Sequence, residues 1–344
     1  MKNKITIKDI AAELHVSPTT VSLIINNRPC RVSEPTRQAV LECVKKHNYT
    51  PNSSARALVM KKTQTIGLIV PDISNPFFAE LAKGVERAAQ KKQYSVIFCN
   101  SDDKGENDLK NFSLLLSKQV DGIILASSLH DQATKLINQL RQLSSDNKLP
   151  VILADRQIPG CDFDIALIDH KKGGSMSTNY LLGLGHKKIG CITGPLTMDS
   201  AALRYQGYIN ALRLAGREPD PNLCHIGNYQ IDSGIIGAKK LIEHGADAIF
   251  SCNDLMAMGA VRQAKRMGLR PGSEISIIGF DNISLCELLD PPLTTVNQQT
   301  YKMGKHCFNL LYDTIQEPKK AQQSIMLRPT LIIRETTPPL AEPH

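Results

Sequence analysis

The sequence predicts an α/β protein in two unequal parts: a small three-helix module, then a larger body of two similar open parallel sheets. Three observations predict it. Charge is unevenly spread, since residues 1–62 hold eleven Lys and Arg against four acids, a net +7, while the other 282 residues carry only +1. Helical periodicity runs through residues 6–47. From Thr65 it gives way to short runs that are apolar throughout, separated by amphipathic segments. A basic module on a neutral body points to a polyanion partner for the module, with a solvated basic patch as the plainer reading, and to a different ligand for the body.

The first helix takes Ile7, Ile10, Ala11 and Leu14 at helical spacing, and Thr6 followed by Asp9 marks its start. His15 and Val16 make a turn. Ser17 caps a second helix with Pro18 in its first turn; Val21, Ile24 and Ile25 point inward, while Thr19, Thr20, Ser22 and Leu23 stay on or near the exposed side. This is a helix-turn-helix, which lays its second helix in the DNA major groove. A third helix over 34–47, with Val40, Leu41 and Val44 inward, closes the small core. Read alone, NYTPNSSARALVMKK (48–62) is a linker broken by Pro51.

Together IKDIAAELHVSPTTVSLIINN, RVSEPTRQAVLECVKKHNYTPN and SARAL resemble the DNA-binding headpiece of the LacI/GalR family of bacterial transcription regulators. The resemblance implies a hinge helix in the linker that folds on operator DNA, with Leu58 wedged into the minor groove beside Ala55 and Arg56. It implies base and backbone contacts from Ser17, Pro18, Thr19, Thr20, Ser22 and Asn26. The loop NNRPCRVS is one residue longer than in some relatives, so either Arg28 or Arg31 is the loop arginine that meets DNA.

In the body, strands are expected at 65–70, 94–100, 120–127, 150–155, 187–194, 247–253 and 275–281, with a last one at 324–335. A weak internal repeat supports two lobes: Gly67 and Gly84 are seventeen apart, as are Gly190 and Gly207. Ligands of such sheets bind beyond the carboxyl ends of the strands. There the sequence places SNPFFAE (74–80), LADR (153–156), ALRYQG (202–207), GNYQ (227–230, read as part of a strand), CNDLMAMGA (252–260), GFD (279–281) and TTVNQ (294–298). Carboxylates and amides pair with sugar hydroxyls, arginine adds a rigid fork, and aromatic faces cover the apolar side of a ring; singly, each residue reads equally well as a strand cap or salt-bridge partner. Arg156, at the end of an apolar strand, is expected to be held by acids such as Asp155 or Asp281.

Along the whole body these strings resemble periplasmic ribose-binding-type proteins and the matching effector domain of LacI/GalR regulators, with NPFFAELAKGVERA, ITGPL and PPLTTVNQ similar to the ribose-operon and purine repressors, and most like the ribose-operon repressor subgroup of the two. The resemblance implies that Phe77 and Phe78 sandwich a sugar ring and that Asn75, Asp155, Arg156, Arg204, Asn253, Asp281 and Gln298 bind its oxygens, with Tyr229 as a further wall. NPFF together with DR favours a sugar over a nucleobase. Ribose leads, with another monosaccharide or a phosphorylated sugar next and a purine last. The domains implied are 1–50 (headpiece), 51–62 (hinge), 63–338 (effector and dimerisation) and a tail at 339–344; lobe one takes about 63–162 and 292–322, lobe two about 163–291 and 323–338.

Enzyme motifs do not fit. GLGH (183–186) and KKGGS (171–175) are not phosphate loops, no GxSxG or HExxH occurs, and the nine histidines are unclustered, so no catalytic residue or cofactor is expected. The nine cysteines show no CxxC pair, which predicts reduced thiols and no metal. Lys8, Asp9 and Glu13 interrupt any signal-like stretch, and no run approaches the roughly eighteen apolar residues that span a bilayer. The chain is therefore expected in the bacterial cytoplasm, at the nucleoid, with no membrane contact. TTPPLAEPH (336–344) has three prolines and no apolar heptad, so a homodimer that reads pseudo-palindromic double-stranded DNA is expected, not a tetramer. The whole reads as a repressor released from its operator when a sugar inducer closes the lobes. The alternative is a corepressor-dependent regulator responding to a purine or phosphorylated sugar.

Overall fold

The computed structural model describes residues 5–25, 29–49, 62–128, 134–158 and 160–338. The chain divides into two compact units, residues 1–63 and 64–344.

In the first unit, helices α1 (Ile7–Glu13), α2 (Pro18–Ile25) and α3 (Glu34–Lys46) enclose Ile10, Ala11, Val21, Ile24, Val40 and Cys43. The caps are those the sequence predicts. Asp9 Oδ2 accepts from the amide and hydroxyl of Thr6 at 2.8 Å each, and Ser17 Oγ accepts from Thr20 N at 3.0 Å. His15 makes the turn with φ 52°. One inward assignment is corrected: Leu41 is 42% exposed, and Cys43 takes the core place. Inward positions on α3 follow the 40, 43, 44, 47 stripe, from which residue 41 is rotated away by about 100°.

The second unit opens with β1 (Thr65–Val70), α4 (Pro76–Lys91), β2 (Ser95–Asn100), α5 (Gly105–Ser117), β3 (Ile123–Leu125), α6 (Thr134–Asn147), β4 (Val151–Ala154) and β5 (Asp164–Ile168). Then come α7 (His170–Gly183), β6 (Ile189–Thr193), α8 (Asp199–Leu214), β7 (Cys224–Ile226), α9 (Ile231–Glu243), β8 (Ala248–Ser251), α10 (Asp254–Arg266) and β9 (Ser276–Asp281). It ends with β10 (Thr294–Asn297), α11 (Thr300–Gln316), β11 (Ser324–Leu327) and β12 (Thr330–Ile332). One sheet has the order β11-β5-β4-β3-β1-β2, the other β12-β10-β9-β8-β6-β7. All pairings are parallel except β12 against β10.

The expected single strand at 324–335 is two strands in different sheets, because Pro329 cannot donate to a ladder and ends the first. Residues 227–230 follow β7 and lie on no strand. Lobe boundaries shift accordingly. Both β5 and β11 belong to the first sheet and β10 to the second, so the chain crosses at about 169, 298–299 and 328–329, not at 162, 291 and 322. The crossings are tied together: Asp169 N donates to Leu327 O at 3.2 Å, and Gln299 Nε2 to Arg328 O at 2.8 Å.

The glycine repeat has a packing cause. At Gly84 a Cβ would stand 2.2 Å from Tyr301 O, and at Gly207 2.2 Å from Lys171 O, so α4 can lie close on α11 and α8 on α7 only where the side chain is a hydrogen.

Candidate functional site

Loops at the carboxyl ends of strands from both sheets meet at a cleft, and all ten predicted ligand-binding residues line it. After β1, Asn75 caps α4 through Oδ1, which accepts from Phe77 N at 3.0 Å, and so sets Phe77 and Phe78 at the cleft as an edge-to-face pair 5.0 Å apart. At the end of β4, Asp155 turns the chain with φ 64° and directs Arg156 into the cleft. Arg156 Nη1 donates to Ser127 O at 3.1 Å and to Asp103 Oδ1 at 3.3 Å, and its guanidinium sits 5.6 Å from the Phe78 ring centre. The expected holder was Asp155 or Asp281. Asp103, on the loop after β2, takes that place: β2 and β4 end at the same side of one parallel sheet with β3 and β1 between them, and the long Arg156 side chain reaches across.

Arg204, on α8, is the arginine near Asp281. Its Nη1 donates to Cys252 O at 2.6 Å and stands 3.8 Å from Asp281 Oδ1; its Nε donates to His170 Nδ1 at 3.3 Å, and its guanidinium covers the Phe280 ring at 4.0 Å. Burial, then Arg204, pulls His170 down to about 4, so its imidazole is neutral and can accept that hydrogen bond. Burial is also the largest influence on Asp281 and pushes its carboxyl well above the usual range, against the pull of Arg204. Gln298 Nε2 donates to Asp281 Oδ1 at 2.5 Å. Asn253 is largely occupied within the protein: Oδ1 accepts from Met256 N and Nδ2 donates to Tyr229 O, both at 2.9 Å. It therefore holds the Tyr229 backbone at the wall.

Four buried polar atoms of cleft-lining residues have no hydrogen-bond partner among the described residues: Asp155 Oδ1, Arg156 Nε, Tyr229 Oη and Gln298 Oε1. Asp155 Oδ1 lies 3.5 Å from His170 Nε2, which is aimed at the Asp155 carbonyl instead. Two acceptors, one donor and a hydroxyl that can do either, all left unpaired in a buried place, call for a ligand with hydroxyls. Sequence reasoning missed Asp72, Asp103, Ser200 and Gln230, which also line the cleft. Asp72 and Asp103 follow β1 and β2 within three residues, so the strand-end rule could have found them; Ser200 sits in the first turn of α8 and Gln230 beside Tyr229.

In the first unit, Ser17, Pro18 and Thr19 are exposed on α2 and Arg31 on the loop after it, while Thr20 and Ser22 are half-buried. Ser17 is engaged in capping, its hydroxyl 2.9 Å from Thr20 Oγ1. Asn26, Arg28, Ala55, Arg56 and Leu58 lie outside the described residues.

Residues 6–52 match the family described as "Bacterial regulatory proteins, lacI family", and residues 63–335 match "Periplasmic binding proteins and sugar binding domain of LacI family". The chain belongs to the LacI family of bacterial transcription regulators. This LacI-family repressor is 38% identical over 338 residues to the HTH-type transcriptional regulator DegA of Bacillus subtilis, covering 98% of this chain and 99% of that one. The HTH-type transcriptional repressor PurR of Pasteurella multocida is 35% identical over 96% of this chain and 98% of its own. The ribose operon repressor of Haemophilus influenzae matches at 35% over the same shares. Among solved structures, the lac repressor dimer bound to operator and the anti-inducer ONPF superposes with a TM-score of 0.87 at 26% identity, over 98% of this chain and 100% of that one. The LacI-family chain is thus a regulator and not an enzyme. No helix among its described residues is long and apolar enough to cross a membrane.

Proposed function

We propose that this chain is a homodimeric, cytoplasmic repressor of a sugar-utilisation operon, that ribose is its inducer, and that sugar in the cleft releases it from a pseudo-palindromic operator. The observation that carries the ligand is the set of unpaired atoms Asp155 Oδ1, Arg156 Nε, Tyr229 Oη and Gln298 Oε1 at a cleft edged by Phe77 and Phe78. A polyhydroxylated ring satisfies acceptors and donors with the same hydroxyls and lays its apolar face on an aromatic ring. Asp72, Asp103 and Asp155 line the cleft with two arginines, beside an Asp281 that burial pushes toward its neutral form, a balance that favours an uncharged ligand over a phosphorylated one. The similarity to a ribose operon repressor supports ribose within that class.

Dimerisation is supported by edge strands β2 and β7, which expose Phe98 at 47% and Ile226 at 58%. The exposed face of α2, with Arg31 and the Leu58 segment, is assigned to DNA. Headpiece, hinge and effector domain are taken to divide at about residues 50 and 62.

Calorimetry of the full chain against ribose, xylose, glucose, ribose 5-phosphate and hypoxanthine tests the ligand. Ribose is expected to bind most tightly and ribose 5-phosphate not at all. Binding of hypoxanthine alone would favour the corepressor reading instead.

A further inference from the structure

Glu13, the last residue of α1, reaches the carboxyl end of α3, where Cys43 and His47 stand one helical turn apart. The Cys43 sulfur, a His47 ring nitrogen and a Glu13 carboxylate oxygen all lie within 4.8 Å of one another. Glu13 Oε2 is 2.7 Å from His47 Nε2, and the Cys43 side chain is buried against the pair at 5% exposure. Burial, then the neighbouring Glu13 carboxylate, pushes the Cys43 thiol up, so without an ion it remains protonated.

One sulfur, one nitrogen and one oxygen donor form a set that suits a borderline-soft ion and not Mg²⁺ or Ca²⁺, which want oxygen throughout. We propose that Glu13, Cys43 and His47 bind a thiophilic divalent cation, Zn²⁺ above all, with its fourth position open to water. Tetrahedral bonds of about 2.0–2.3 Å set donors about 3.5 Å apart, so the three side chains close on the ion by adjustments of about an ångström. On binding, the Cys43 thiol proton passes to solvent; thiolate and carboxylate then match the two charges of the ion, and His47 binds as neutral imidazole. Lys46 Nζ is 3.0 Å from Oε1, the other carboxylate oxygen, and at 68% exposure it can withdraw into water as the cation enters. The ion would pin α1 to α3 in a unit whose core cluster has six buried residues, so its binding energy becomes folding energy for that module. This revises the expectation of no metal. Cys-x₃-His on one helix, completed by a glutamate thirty residues earlier, matches none of the short-spacing motifs.

The test titrates the full-length protein with Co²⁺, then displaces it with Zn²⁺. One equivalent is expected to give a thiolate-to-cobalt charge-transfer band that Zn²⁺ abolishes. C43S should lose the band, whereas C30S, which removes another thiol of the same module, should keep it. E13Q and H47Q alter solvent-accessible ligands and carry the test even if C43S misfolds; each should lower Zn²⁺ affinity at least about tenfold, the scale on which even outer-shell partners act. Absence of the band, its persistence in folded C43S, or unchanged affinity in E13Q and H47Q would overturn the site.

Discussion

Arg156→Ala is expected to weaken sugar binding by about 2 kcal/mol or more, roughly thirtyfold in Kd, while operator affinity without sugar stays at the wild-type value. Arg156 is 6% exposed, and its Nε is the unpaired charged donor among the buried atoms of the described cleft residues. Removing it takes away a charged hydrogen-bonding partner that a sugar hydroxyl would meet. The fold should tolerate the loss, because the acid left behind, Asp103, is 47% exposed and is rehydrated without a buried charge remaining. The product is a repressor that holds DNA and ignores its inducer. A variant that releases operator at the wild-type sugar concentration would remove Arg156 from the site.

Arg204→Ala should behave differently although it removes the same kind of side chain. Its acid, Asp281, is only 6% exposed, and Cys252 O and the Phe280 ring also lose their partner. Breaking a buried pair from one side costs about 3–5 kcal/mol. The expected loss lies near the lower end, since Asp281 is already pushed toward its protonated form by burial and can neutralise itself. Urea unfolding at pH 7 should therefore show destabilisation of about 3 kcal/mol, and adding Asp281→Asn should restore part of it. A single variant within about 1 kcal/mol of wild type would show that the pair contributes little.

The contrast marks what could be read from the chain and what could not. Apolar runs ending in Asn75, Asp155, Arg156, Asn253 and Asp281 announced a ligand cleft, because parallel strands buried on both faces must carry their chemistry at their ends. Which acid holds which arginine was not legible: Arg156 and Asp103 are 53 residues apart and meet only through the order of strands in the sheet. The crossings were hidden for a related reason. β5, within DFDIALID, is too short and too flanked by acids to read as a strand, and SIMLRPTLIIRE reads as one strand unless Pro329 is given its full weight as a breaker. In the headpiece, the caps at Thr6 and Ser17 were legible because they are local, whereas the meeting of Glu13 with Cys43 and His47 depends on how α1 and α3 pack.

The central claim, that sugar in the cleft controls DNA binding, is tested most directly by titrating the full-length wild-type protein onto labelled operator with and without saturating ribose at one fixed salt concentration, since protein–DNA affinity depends steeply on salt. Linkage requires the shift in operator affinity to equal the shift in ribose affinity caused by DNA, within the coupling of about 1–3 kcal/mol typical of allosteric proteins. The account predicts that ribose weakens operator binding at least about fivefold; unchanged operator affinity under ribose that calorimetry shows to be bound, or tighter operator binding, would contradict it.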